Sequence, residues 1–223
     1  ENYVPHIGGV EVVFKNLAEG LVKLGHTATI ITHRLKGTKG YEEISGVKIK
    51  RINCFHNRYL FTFLSIPAAI KEAKQADIIH ATTFNGAFPA WLASKLTKKP
   101  AVITVHELWI GKWREYTDMN WLQAFAHNLL EQLIYLLKFD KYVAVSESTR
   151  KQLLQIGKKE ADTMTIYNGF DYEHFNPKKY DGNKIRRQLR MEKSFIALDY
   201  GRPGPSKGIE YAIQAAKLAA TKI

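Results

Sequence analysis

Three short segments of this 223-residue chain combine residue types that can hold an anion or move a proton. The first is ProHisIleGlyGlyValGlu at 5–11. Adjacent glycines, Gly8 and Gly9, ahead of an apolar-periodic stretch let backbone approach a ligand closely, and free N–H groups at a helix start attract phosphate or sugar oxygens. Glu11 falls in the first turn, where a carboxylate complements the helix dipole. A plain strand-to-helix turn uses the same residues, so both readings stand. The second segment is ThrValHisGlu at 104–107, which puts His106 at the end of an apolar run. Ligands of open α/β sheets bind outside the carboxyl ends of the strands, and histidine titrates near neutral pH. His80 follows AspIleIle in a similar position, and Glu107 either orients His106 or caps a helix. A half-buried, satisfied histidine is the competing reading for both rings. The third is GlyArgProGlyProSerLysGly at 201–208. Arg202 offers a planar fork for phosphate oxygens and Lys207 a mobile point charge, with a solvated basic turn as the alternative. Neither GxxxxGK[ST] nor GxGxxG occurs, and two histidines without acidic pairs point to no metal site.

The elements that must position these residues follow from periodicity. Val10, Val13, Phe14, Leu17, Leu21 and Leu24 recur at helical spacing, and Gly25 closes that helix. Strands are expected at 27–32, 46–53, 77–80, 100–106, 142–146 and 164–168. Helices are expected at 66–76, 86–96, about 117–138 and from Glu147, where Ser146 is placed either to cap the helix or to face a ligand. Such alternation specifies an α/β fold built on a doubly wound parallel sheet. Residues 171–183 have linker chemistry. Beyond them, a helix at 183–190, a strand at 194–200 and a helix from Ile209 read as the first βα unit of a second Rossmann-like domain. The expected division is therefore 1–175 and 176–223. The first, central strand of such a sheet should precede Gly8, yet Pro5 makes residues 1–7 a poor strand, so that strand is expected to be missing.

Composition narrows the partner. Thirty-three Lys and Arg against 21 Asp and Glu give a formal charge of +12. That excess favours an anionic partner: a nucleotide diphosphate, a phospholipid surface or a nucleic acid. No helix-turn-helix, zinc-finger or RRM signature supports the nucleic acid. Cys54 is the only cysteine, which excludes an intrachain disulfide and a Cys-based metal site.

The ordered array of GlyGlyValGlu (8–11), AspIleIleHis (77–80), IleThrValHisGlu (103–107), ValSerGluSerThr (145–149), IleTyrAsnGlyPheAsp (166–171) with Phe175 and Pro177, and GlyArg…LysGly (201–208) resembles the retaining GT-B glycosyltransferases of family GT4. That group holds the phosphatidylinositol mannosyltransferases and sucrose synthases. The resemblance covers nearly the whole chain. It implies a nucleotide-diphospho-sugar donor, transfer of a hexosyl group with retention, and no required cofactor or metal. His106 would point into the cleft at the transferred sugar, while Arg202 and Lys207 would neutralise the leaving diphosphate. Gly8, Gly9 and Glu11 would lie near the donor phosphates and acceptor, with His80, Glu107 and Ser146 bordering the same cleft. Asn168 and Gly169 would shape the hinge. The later acidic motif that holds the donor is absent, so this chain alone is expected to be inactive.

The acceptor reading rests on aromatic and basic segments at 58–64, 108–116 and 120–125, which include Trp109, Trp113 and Trp121. They suit an anionic membrane and a lipid acceptor, or sugar stacking and a carbohydrate acceptor. A cytoplasmic protein is expected, attached peripherally to the inner membrane face in the lipid version. The alternatives are a GT-B-like UDP-sugar epimerase, a non-catalytic anion- or membrane-binding module, and a nucleotide-dependent oxidoreductase. The last requires a GxGxxG turn that the sequence lacks.

Overall fold

The computed structural model describes residues 1–220 except His56, Arg202 and Pro203. It contains two compact units, Glu1–Ile110 with His127–Asn168, and Gly111–Ala126 with Gly169–Ile223.

The first unit is α/β. Helix α1 (Gly9–Lys23) leads into β1 (Thr29–His33), and a hairpin of β2 (Tyr41–Ile44) and β3 (Val47–Ile52) follows. β3 pairs parallel with β1 and antiparallel with β2 in the order β1-β3-β2. Ser45 and Gly46 both have positive φ (52° and 78°), as a two-residue hairpin turn requires. A Cβ on Gly46 would also lie 2.6 Å from Val22 Cγ1, so only glycine fits there. The sequence reading overlooked β2, and also the helix at Arg58–Leu64. In β3 the side chains alternate as expected, with Val47 and Ile49 inside beside Tyr3, Ala18 and Val22.

Helices α2 (Arg58–Leu64) and α3 (Ile66–Ala73) lead to β4 (Ile79–Thr82), then α4 (Ala87–Thr97) and β5 (Ala101–Val105). Asn57 caps α2 by accepting the Tyr59 amide at 2.9 Å. α5 (Trp113–Tyr116) and α6 (Trp121–Leu136) precede β6 (Lys141–Ala144), and α7 (Glu147–Gln155) separates β6 from β7 (Thr163–Thr165). β4 to β7 form one parallel sheet in chain order. Ala101, Ile103, Val105 and Ala144 are its most buried side chains, packed with Leu153 of α7 and with Tyr135, Phe139 and Tyr142. Burying each large aliphatic chain of that set contributes about 1.5–3 kcal/mol.

The expected elements are present with shifted edges, with one correction at 194–200. On α1 the core stripe runs through Ala18 and Val22, while Leu17, Leu21 and Leu24 are exposed. As expected from Pro5, no strand precedes α1, and the Glu1 carbonyl accepts the His33 amide at 2.7 Å beside β1. Residues 194–200 form no strand. The second unit contains α5, the start of α6, α8 (Gly182–Gln188) and α9 (Ile209–Ala220), with no strand among its described residues. Without a neighbouring strand there is no ladder to join, and Phe195, Leu198 and Tyr200 stay exposed.

Candidate functional site

The first unit gathers five of the expected residues around the beginning of α1 and the carboxyl end of β5. Gly8 is the N-cap of α1 and supplies no side-chain cap, so the first-turn amides meet no capping oxygen from it. Its backbone is extended, which any residue tolerates, and a side chain there would have to displace only the end of the Glu11 side chain. A Cβ on Gly8 would lie 2.2 Å from Oε2 of Glu11, whereas one on Gly9 would meet nothing within 4 Å. Glu11 folds back over the cap, and its Oε1 sits 3.2 Å from Nδ1 of His6.

His106 follows β5 directly. Its Nε2 is shielded from solvent and has no hydrogen-bond partner. Burial holds the imidazole below the ordinary histidine value, and the nearby Glu11 carboxylate opposes that shift in part. His80 occupies the second position of β4, not the strand end expected from sequence, because β4 runs to Thr82. Its Nε2 lies 2.7 Å from the hydroxyl of Thr104, and the Phe14 ring leans on it with centroids 5.0 Å apart. One edge of His80 stays open to solvent, yet crowding by these neighbours lowers its pKa, with His106 as the second cause. Both imidazoles are therefore neutral at pH 7, each able to donate from one nitrogen and accept at the other.

Thr104, Phe14 and His6 lie in segments quoted from the sequence but were not singled out as site residues. Strand alternation carried a signal for Thr104, since it lies two residues before His106 on the same face of β5. Glu107 is exposed and does not cap a helix, because the next helix begins at Trp113. Its charge acts on Tyr135, whose hydroxyl is raised by burial first, then by Glu131 and Glu107. The carboxylate that acts on His106 is Glu11. Ser146 is the N-cap of α7 and accepts the Thr149 amide at 3.1 Å. Glu131 is 2% exposed and accepts the Trp109 amide at 2.9 Å, tying α6 to the loop after His106.

Lys207 lies in the second unit, exposed in a short turn at 205–207, and Gly208 behind it takes φ 63°. Arg202 lies outside the described residues. Trp113 is buried and thus leaves the aromatic surface expected at 108–116, while Trp121 is exposed. A recess of about 400 Å³ lined by Lys95, Lys98, Lys99 and Asp140 sits at the amino ends of β5 and β6, opposite His106. Open α/β sheets bind ligands at the other end. Among the described residues no three His, Cys, Asp or Glu side chains converge on a metal position.

A parallel α/β sheet with a shielded histidine at its carboxyl end and a glycine-capped helix beside it is a Rossmann-like frame, which binds ligands at that end of the sheet. Residues 7–174 match the profile described as Glycosyltransferase Family 4, and the chain belongs to that family. It is 27% identical to an uncharacterized glycosyltransferase of Methanocaldococcus jannaschii, over 96% of this chain and 56% of that protein. It is 26% identical to the GPI3 subunit of phosphatidylinositol N-acetylglucosaminyltransferase of Saccharomyces cerevisiae, over 92% of this chain and 45% of that protein. The chain thus spans about half the length of the curated relatives it matches. Among solved structures it is similar to Anabaena HepE in complex with UDP-glucose, with a TM-score of 0.69 at 17% identity over 96% of this chain and 55% of that one. It also resembles a sucrose-phosphate synthase segment from Thermosynechococcus elongatus, with a TM-score of 0.52 at 14% identity over 80% of this chain and 94% of that one. These likenesses support the Rossmann-like fold.

Proposed function

We propose that the protein containing this chain transfers a hexosyl group from a nucleotide-diphospho-sugar to a lipid or glycan acceptor with retention, without a required cofactor or metal. The observation that carries the reading is the shielded, unpartnered Nε2 of His106 at the carboxyl end of β5, in a chain of this family. A neutral imidazole there can take a hydrogen bond from, or give one to, a sugar or acceptor hydroxyl, which repairs an otherwise unsatisfied buried nitrogen. The uncapped start of α1 supplies amides and a positive dipole end for anionic oxygens, and Glu11 sets the charge beside His106. Arg202 and Lys207 neutralise the diphosphate as it departs. His80 supports the face of β5 through Thr104. Residues 1–175 serve as the acceptor-side domain and 176–223 begin the donor-side domain.

Two similar proteins support the choice of donor and acceptor: HepE forms a complex with UDP-glucose, and GPI3 is a subunit of a phosphatidylinositol N-acetylglucosaminyltransferase. A lipid acceptor places the enzyme on the inner face of a membrane from the cytoplasmic side. Among the described residues no helix is long and apolar enough to cross one. The decisive assay is transfer by the full-length protein from a panel of nucleotide sugars, with the product anomer read by NMR. His106→Ala should lower kcat by about 10²–10⁴-fold with the fold intact. Wild-type turnover in that variant, or an inverted product, rejects the reading. The 223-residue chain alone is expected to show no turnover.

A further inference from the structure

The carboxylate of Glu131 is buried in the first unit and takes no part in the chemistry proposed for His106. It is the one acidic side chain of α6, and it turns inward at 2% exposure. Removing a carboxylate from water is costly unless hydrogen bonds replace the lost hydration. Glu131 finds one on the segment that leaves β5, where its Oε1 accepts the Trp109 amide at 2.9 Å. Residues 106–110 belong to no helix or strand, so no ladder fixes them. Two contacts hold the segment from within. Leu108 packs in the core cluster that includes Tyr135, and Glu131, one turn earlier on the same face of α6, takes the next amide. The charge of Glu107 also reaches Tyr135. His106 is thereby pinned on both sides. Before it, the Val105 carbonyl accepts the Val145 amide at 3.2 Å; after it, Glu131 holds the backbone three residues on.

We infer that Glu131 is a positioning residue for transfer: by holding the Trp109 amide it keeps the 106–109 segment against α6 and so fixes where the His106 imidazole meets the sugar. The inference rests on the role proposed for His106 and adds to it the group that sets the ring in place. Burial is the first cause of the lowered His106 value, and Glu11 is the charge that opposes it. Glu131 therefore acts on the ring through the backbone it holds, not through its own charge. An anchor of this kind matters because a small displacement of a reacting group costs far more rate than stability.

The test compares two variants of the full-length protein. Glu131→Leu keeps the bulk and loses the acceptor, whereas Glu131→Gln keeps an oxygen for the amide and loses the charge. Two readouts need no substrate. In Glu131→Leu the Trp109 amide should exchange at least about tenfold faster, while the β5–β6 ladder amides keep their wild-type rates. The NMR titration of His106 should move up toward the ordinary histidine value, because a released segment admits water to the ring. Glu131→Gln should leave both readouts at wild type. Turnover with UDP-glucose should follow the same order. The leucine variant should lose about 10–100-fold in kcat with KM within about threefold, and the glutamine variant should recover most of it. Glu131→Asp, still acidic but one methylene shorter, serves if the leucine variant melts early, and should loosen the same amide. An unmoved His106 titration in both the leucine and aspartate variants overturns the inference. Equal damage in the glutamine and leucine variants does so too, since the charge and not the amide contact would then matter. His106→Ala separates the two proposals: wild-type turnover there rejects the proposed function, while exchange and titration still decide whether Glu131 sets the ring in place.

Discussion

Replacing Ser146 by alanine separates a helix cap from a ligand-binding hydroxyl. Ser146 holds extended backbone ahead of α7 and accepts the Thr149 amide at 3.1 Å. Its hydroxyl also lies 2.9 Å from that of Thr149, which is 5% exposed. Water therefore has little room to take over either contact. Losing the cap costs about 1 kcal/mol, and a buried hydroxyl left short of a partner adds about 1 kcal/mol. For a chain of this size about 2 kcal/mol lowers the thermal midpoint by roughly 4–8 °C. Circular dichroism melts of Ser146→Ala and Ser146→Asp measure it. Aspartate should recover most of the loss, since its carboxylate accepts the same amide and sits at the positive end of the helix dipole. An unchanged midpoint in Ser146→Ala, or an aspartate variant no better than alanine, refutes the capping argument. In the full-length enzyme the aspartate variant should keep kcat/KM within about threefold of wild type. A collapse of kcat/KM with the melt intact would instead return Ser146 to substrate binding.

Three further outcomes follow from the site and the core. Because His80 and His106 are held below the ordinary histidine value, the unfolded chain binds protons first as pH falls. Their stabilising effect is full above about pH 6.5 and is lost as pH drops through the folded-state values, so midpoints should fall between about pH 7 and about pH 5. A His80→Asn, His106→Asn double variant should flatten that slope, and an unaltered slope contradicts the assignment. Gly8→Ala must push the Glu11 carboxylate aside, so NMR titration should find His106 still lower than in wild type, as in Glu11→Gln; no change in either variant removes Glu11 from the site. Leu153→Ala empties a fully buried position against the parallel sheet and should cost about 2–5 kcal/mol in denaturant unfolding.

Legibility of the fold tracked the strength of each local pattern. The alternating β3 and the continuously apolar β5 were readable because one and two buried faces leave different marks. α1 was readable as a helix but not in its rotation, since apolar residues lie on several of its stripes and packing selects the one through Ala18 and Val22. The β2–β3 hairpin left a mark at Ser45 and Gly46 that the reading passed over. Residues 194–200 have strand composition without a partner, and composition cannot supply one. At the site, the residue types and strand ends were legible. The pairings of Glu11 with His106 and of His80 with Thr104 were not, because each joins segments brought together only by the fold. Trp113 shows the same limit, being part of an aromatic cluster in sequence yet buried in the structure.

α6 answers to two different masters along its length. Inward, one carboxylate must meet one backbone amide three residues past His106, a demand that few substitutions satisfy. Outward, Leu129, Leu133 and Leu136 are exposed, and side-chain size and shape matter far less there than at position 131. Sequence divergence among true counterparts of this protein should accordingly be lopsided on this helix, with leucine, isoleucine, phenylalanine and methionine trading places on one side while position 131 stands still. Laboratory evolution of the enzyme would accumulate its neutral changes on that same side.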